Sequence, residues 1–426
     1  MTAPGPAGTP NGPGPAGAET SAGPAGAVNG PGPAGTPKGT GPAGAATSTG
    51  PAGTPRSPGP AGTPNSTGPT GAPDRTTPAA PDRTTPAAPE PQRWPAALHG
   101  RTAPTAPTSP SGVAPPGPPA PAQLREGLDL LAVPEADREA VVATMPDPAA
   151  DPERWRALIR CHAALSAPPG TPVDWPDAPA ALGAAGRYFY VHLFLAALPD
   201  ALAAHRALGV PEDVTRATFA DVGEKMRLYR LAHGTGGLDR QVWLLRHFRG
   251  TLFRLGRLQF DRARLDAVAY GGTPDGGGPA DGEPVLEVHI PGDGPLTPEA
   301  CADSYDRARA FFARHFPAEP YAYATCRSWL LDDQLAAYLP PTSHIIGFQR
   351  RHRLFGARPC CDDAVLEFVF HRPPGAPGPA DPDLLPRDTT LRRAIADHLR
   401  AGRHWRLRCG WTPLPSPAGP THLVKS

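Results

Sequence analysis

The first 122 residues contain no Phe, Tyr, Ile or Cys, one Trp (Trp94), one Leu (Leu98) and a single Met, Met1. A segment so poor in apolar side chains cannot offset the roughly 1–2 kcal/mol per residue lost on ordering its backbone. Residues 1–122 are therefore expected to form a disordered Pro/Ala/Gly-rich tail, with a second short one at 415–426. The glycines at 5, 8, 12, 14 and 17 break the strict three-residue period of collagen, which excludes a triple helix. An octapeptide, Pro73–Ala80, recurs as Pro81–Ala88. Such composition reads as a low-complexity linker with polyproline II character, and its Pro-rich motifs leave room for a protein partner.

Charge of one sign is also lacking. Forty-one basic and forty acidic side chains leave a net charge of +1, which argues against a nucleic-acid platform driven by bulk charge. The six cysteines (Cys161, Cys301, Cys326, Cys360, Cys361 and Cys409) contain no CxxC spacing, so no zinc site is expected and reduced thiols are the simplest reading. No basic region followed by an apolar run opens the chain, so a cytoplasmic location is expected. The most apolar stretch, Tyr188–Leu198, is too short to span a bilayer and is expected to be a buried helix ending at Pro199.

What is present is concentrated after Gln123. Its length favours two packed domains. Up to Gly250 the periodicity is helical: Leu124, Leu128 and Leu131, then Trp155, Leu158, Ile159 and His162, then Tyr190, Leu193, Phe194, Ala197 and Leu198. Pro211 opens a further long helix on which Phe219, Val222, Met226 and Tyr229 share a face, ended by Gly234–Gly237. After Gly250, Leu252–Phe260 is expected to be one strand with a bulge at Gly256. The run 271–284 is expected to be a loop. A strand Val285–Ile290, a helix capped by Thr297 and Pro298, a strand Tyr321–Leu331 and a short helix around Gln334–Leu339 follow. Strands through Ile345–Phe348 and Val365–Phe370, a helix Leu391–Leu399 and a strand Trp405–Trp411 complete the series. Interleaving of this kind implies an α+β domain, a sheet covered by helices.

The phrases HFRGTLFRLGRLQF (247–260), VHIPGDGPLTPEAC (288–301), CRSWLLD (326–332) and FQRRHRLFG (348–356) resemble the actinobacterial acyltransferase domain-containing proteins. Those pair an N-acyltransferase N-terminal domain with a GNAT-like C-terminal domain. The resemblance covers Gln123 to Leu414 and implies a helical domain at 123–250 followed by a GNAT-like mixed sheet domain at 251–414. It also implies transfer of an acyl group from acetyl-CoA or another acyl-CoA to a small amine. The usual GNAT pyrophosphate turn, Arg/Gln-x-x-Gly-x-Gly/Ala, is not completed here. Arg353–Arg358 ends in Arg where Gly or Ala belongs, and Arg230 stands one residue too early for Gly234 and Gly236. A GNAT-shaped binding protein without catalysis is therefore the alternative, and an adaptor built around the Pro-rich tail a further one.

Several residues are candidates for chemistry, each with a plainer reading. His289, Asp293 and Gly294 spell HxxxDG, placing a possible general base at a strand end, while Asp293-Gly294 is equally a turn. Cys326 could protonate a departing thiolate, as could Tyr323, while a buried Cys is usually a small hydrophobe. Glu367 interrupts an apolar run, as a base with a raised pKa or as a solvent-facing carboxylate. Arg350, Arg351 and Arg353 suit CoA phosphates or a protected strand edge. Arg249 and His247, with Arg254 and Arg257 beyond, suit an interdomain anion pocket or ion pairs with Asp239, Asp261 or Asp266.

Overall fold

The computed structural model describes residues 116–414 except 169, 170, 174, 176, 177, 179, 374, 375 and 377–379. The expectations for residues 1–115 and 415–426 lie outside the described residues. Pro121 and Ala122, assigned to the tail from composition, already belong to the first helix.

The helical part comprises α1 (Pro121–Leu130), α2 (Glu135–Ala143), α3 (Pro152–Leu165), α4 (Gly183–Arg187), α5 (Phe189–Ala207), α6 (Glu212–Phe219), α7 (Asp221–His233) and α8 (Gln241–Phe248). Helix α5 is apolar on nearly every side because it is central: Phe189, Val191, Leu193 and Phe194 are all buried. It does not stop at Pro199 but runs on to Ala207. The proline removes only one donor, and the neighbouring turns hold the helix through it. The helical run Ala180–Ala207 is long and apolar enough to cross a membrane by length and composition, yet 61% of its apolar 18-residue window is buried inside this core. The expected long helix from Pro211 is two helices joined at Ala220, and Gly234 at φ 68° ends the second.

The sheet part comprises β1 (Leu252–Leu255), β2 (Leu258–Arg264), α9 (Ala267–Tyr270), β3 (Pro284–His289), α10 (Pro298–His315), β4 (Tyr323–Ser328), α11 (His344–Gln349), β5 (Arg353–Phe355), α12 (Asp362–Phe370), α13 (Thr390–Arg400) and β6 (Arg408–Pro413). Three expectations change. Leu252–Phe260 is a hairpin, not a bulged strand: Gly256 at φ 72° turns the chain and Leu255 pairs with Leu258. Ile345–Phe348 is helical, and so is Val365–Phe370. Short apolar runs do not distinguish a buried strand from a buried helix, and the acidic first turn Asp362–Asp363 is the helix-start signal here.

The six strands lie in the order β1-β2-β3-β4-β6-β5. Only β3 and β4 are parallel, and α10 is their crossover. Alternation divides the sheet into two faces. Leu258, Phe260, Val288, Ala324 and Cys326 turn to an apolar core with Tyr305, Ala308 and Phe312 of α10 and Phe348 of α11. The other face carries Gln259, Asp261, Glu287, His289 and Thr325, as the pairs Gln259–His289, Asp261–Glu287 and Glu287–Thr325 dictate. Helix α8 packs over that polar face.

Candidate functional site

Two things happen at the C-terminal end of β3. Its pairing with β4 stops at Val288–Cys326, while β4 continues to Ser328 along β6 alone. The parallel strands thus part company beside His289. After His289 the chain enters the loop Ile290–Leu296 and then α10, whose N-cap Thr297 accepts from the Ala300 amide at 3.2 Å. An 18-residue helix therefore presents its N-terminus next to the opening.

His289 is 2 % exposed. Its ring meets Trp243 of α8 edge to face at 4.7 Å, and its Nε2 has no hydrogen-bond partner among the described residues. Burial, together with Arg246, His247 and Lys225, pushes its pKa well below the usual imidazole range, so the ring is neutral near pH 7. Asp261, Glu287 and His289 each place a donor atom within 4.8 Å of the others. Burial raises both carboxyls, against the pull of Arg246. Arg246 Nε lies 2.8 Å from Asp261. The side-chain amide of Gln259, fully buried next to His289, also lacks a partner among the described residues.

Behind this group stands an ion cluster from the helical part. Asp221 accepts from Trp243 Nε1 at 2.9 Å, with His247 at 3.2 Å and Lys225 at 3.3 Å. Burial drives its carboxyl up, but Lys225, His247 and Trp243 outweigh that and hold it far below the ordinary carboxylate range. Trp243 thus links the two groups, bonding Asp221 with its N–H while its ring packs on His289. Tyr270 of α9 completes the polar face, its hydroxyl 3.3 Å from Thr325 and its pKa raised well above normal by burial and by Glu287.

The other sequence candidates are dispersed. Cys326 lies on the opposite, apolar face, 1 % exposed, with burial raising its thiol. Tyr323 is on the His289 face, but it pairs with Val285, four residues before His289 and so roughly 13 Å along the strand. Its hydroxyl reaches Gly277 O at 3.4 Å. Glu367 sits on helix α12 and pairs with Arg240. Arg350 donates to Pro341 O at 3.1 Å, Arg351 lies over the Tyr305 ring at 5.2 Å, and Arg353 lies over Trp411 at 5.0 Å, so the three diverge. Arg249 donates to Ala164 O and Thr171 O, both at 2.7 Å, tying down the end of α3. Asp293 is held by Arg254 at 2.6 Å, and Arg257 donates to the carbonyls of Pro291 and Pro295. Sequence reasoning missed Gln259, Glu287, Tyr270 and Trp243 as site residues. The available signal was polar residues at alternate positions of two otherwise apolar strands.

A mixed sheet whose one parallel pair diverges beside a buried imidazole, roofed by a helical part, defines a class. Residues 122–250 match the N-acyltransferase N-terminal domain and residues 252–412 the GNAT-like C-terminal domain, and the chain belongs to the acyltransferase family that joins the two. It is similar to the solved structure of an acyltransferase in complex with decanoyl-CoA and teicoplanin, at 39% identity and a TM-score of 0.64, covering 71% of this chain and 91% of that one. An acyltransferase mutant in complex with octanoyl-CoA matches equally, with the same identity, TM-score and coverage. An acyltransferase in complex with decanoyl-CoA matches at 40% identity and a TM-score of 0.63. No curated protein matches the chain.

Proposed function

We propose that the protein is an acyl-CoA-dependent N-acyltransferase whose reacting centre lies where β3 and β4 separate, with His289 as the general base. The observation that carries this is the buried, unpartnered Nε2 of a neutral His289 at that separation. The family resemblance alone implies a small amine as acceptor. The 39% identity to an acyltransferase that binds decanoyl-CoA and teicoplanin supports an amine borne on a glycopeptide-class molecule, with a medium-chain acyl-CoA as donor.

The chain's own residues divide the work. The N-terminus of α10 faces the phosphates of CoA with the positive end of its dipole, and Arg351 and Arg257 flank its first turns, both acting on Cys301. His289 takes a proton from the attacking nitrogen, and Asp261 and Glu287 are close enough to share it. The nitrogen adds to the thioester carbonyl, the C–S bond breaks, and the sulfur leaves as thiolate. Tyr270, kept protonated by burial on this same face, is the donor for that sulfur.

The test pairs binding with turnover on the full chain. Decanoyl-CoA at ~100 times its Kd should raise wild-type stability by about 2.7 kcal/mol. His289→Gln should keep that rise yet release free CoA at least ~100-fold more slowly with an amine acceptor. Absence of any thermal shift in the wild type, or undiminished CoA release in the variant, would overturn the assignment.

A further inference from the structure

We infer that Cys360, Asp362 and His404 form a zinc site, separate from the acyl-transfer centre and independent of that reading. Cys360 Sγ, a carboxylate oxygen of Asp362 and a ring nitrogen of His404 lie within 4.8 Å of one another. Thiolate, imidazole and carboxylate together are the donor set zinc takes, and three protein ligands leave its fourth position for water.

The backbone brings these groups together before any ion arrives. Leu407 N donates to Pro359 O at 2.9 Å and Cys361 N to Trp405 O at 3.0 Å, on either side of a bridge between Cys360 and Arg406. This short ladder ties the segment entering α12 to the one entering β6. It places Cys360 and Asp362 on one chain and His404 opposite them. Asp362 is itself oriented, since Oδ1 accepts from Trp405 N at 2.8 Å while Oδ2 meets His404 Nδ1 at 2.6 Å. A carboxylate fixed by a backbone amide is the support metal ligands ordinarily have.

Charge distinguishes this group from the one beside α8. Asp261, Glu287 and His289 satisfy the same distance criterion, but Arg246 already pairs with Asp261, and Lys225 and His247 bear on His289. A divalent cation there meets two competing cations, Arg246 and Lys225. Cys361 is not a ligand, because it packs against the apolar core and leaves the exposed Cys360 to face the histidine.

The full chain, expressed with zinc and dialysed into metal-free buffer, should retain about one zinc per chain by elemental mass spectrometry. Cobalt(II) added to the stripped protein should give a sulfur-to-cobalt charge-transfer band. Cys360→Ser should abolish that band, Cys361→Ser should leave it intact, and His404→Ala should weaken metal binding at least ~10-fold. Cys360 and His404 are exposed, so their variants keep the fold. No stoichiometric metal, or a cobalt spectrum that survives Cys360→Ser, would overturn the site.

Discussion

Gly223, near the start of α7, donates its amide to Leu131 O at 2.8 Å. A Cβ there would stand 1.9 Å from Ala132 O, and Ala132 already holds an unusual φ of 51°. Backbone cannot yield as a side chain does. Gly223→Ala is therefore expected to cost about 3 kcal/mol or more, read as a fall in Tm of roughly 6 °C or greater. An unchanged melting curve would mean that the α1–α2 connection is freer than the structure shows. The same scale explains why Glu287 escaped sequence reading while His289 did not. Histidine at a strand end invites attention in any sequence. A carboxylate two residues earlier becomes interesting only when pairing sets it against Asp261 and α8 covers both.

At the scale of elements, the helix that crosses from β3 to β4 depends on its beginning. Thr297 and Pro298 were legible as a cap and first turn, and the structure places the Thr297 hydroxyl on the Ala300 amide. Thr297→Ala should cost ~1 kcal/mol in stability. If the α10 N-terminus holds the phosphates, the same change should also weaken decanoyl-CoA binding by more than the stability loss alone accounts for. Equal affinity in both proteins would separate the cap from the ligand. Other elements were legible in kind wherever long periodicity or a cap marked them, as in α3, α5, α10 and α13. The short apolar runs at Ile345–Phe348 and Val365–Phe370 were not, because tertiary burial settles what four to six apolar residues alone leave undecided. Glu367 followed its element: once Val365–Phe370 is helix, its carboxylate meets Arg240 and leaves the sheet.

Over the whole molecule, histidines in both parts are buried as neutral rings. His192 and His205 in the helical core and His352 against α10 each have a pKa lowered by burial to about 4. An unfolded chain regains the ordinary value near 6.5 and so takes up protons first as pH falls. The stability these groups contribute is therefore complete above pH ~6.5 and is lost progressively toward pH 4, at about 2 kcal/mol each by pH 5. The raised carboxyls of Asp261 and Glu287 act in the opposite sense, so the net slope is shallower than the sum. The urea midpoint should fall steeply between pH 7 and pH 5, and His205→Asn should flatten the slope; a midpoint constant over that range would refute the argument. Since a domain's margin is only 5–15 kcal/mol, mild acid should bring the protein close to unfolding.

The position of Trp243 has an optical consequence. Among the described residues it is the tryptophan whose ring meets His289, and it also lies 4.8 Å from the Arg246 guanidinium while bonded to the Asp221 carboxylate. Indole emission responds to charges at such range, so the protein carries its own unlabelled reporter. Any molecule that reaches the imidazole, or any proton that lands on it, changes the colour or brightness of that one fluorophore. Trp243→Phe identifies its share of the signal by difference.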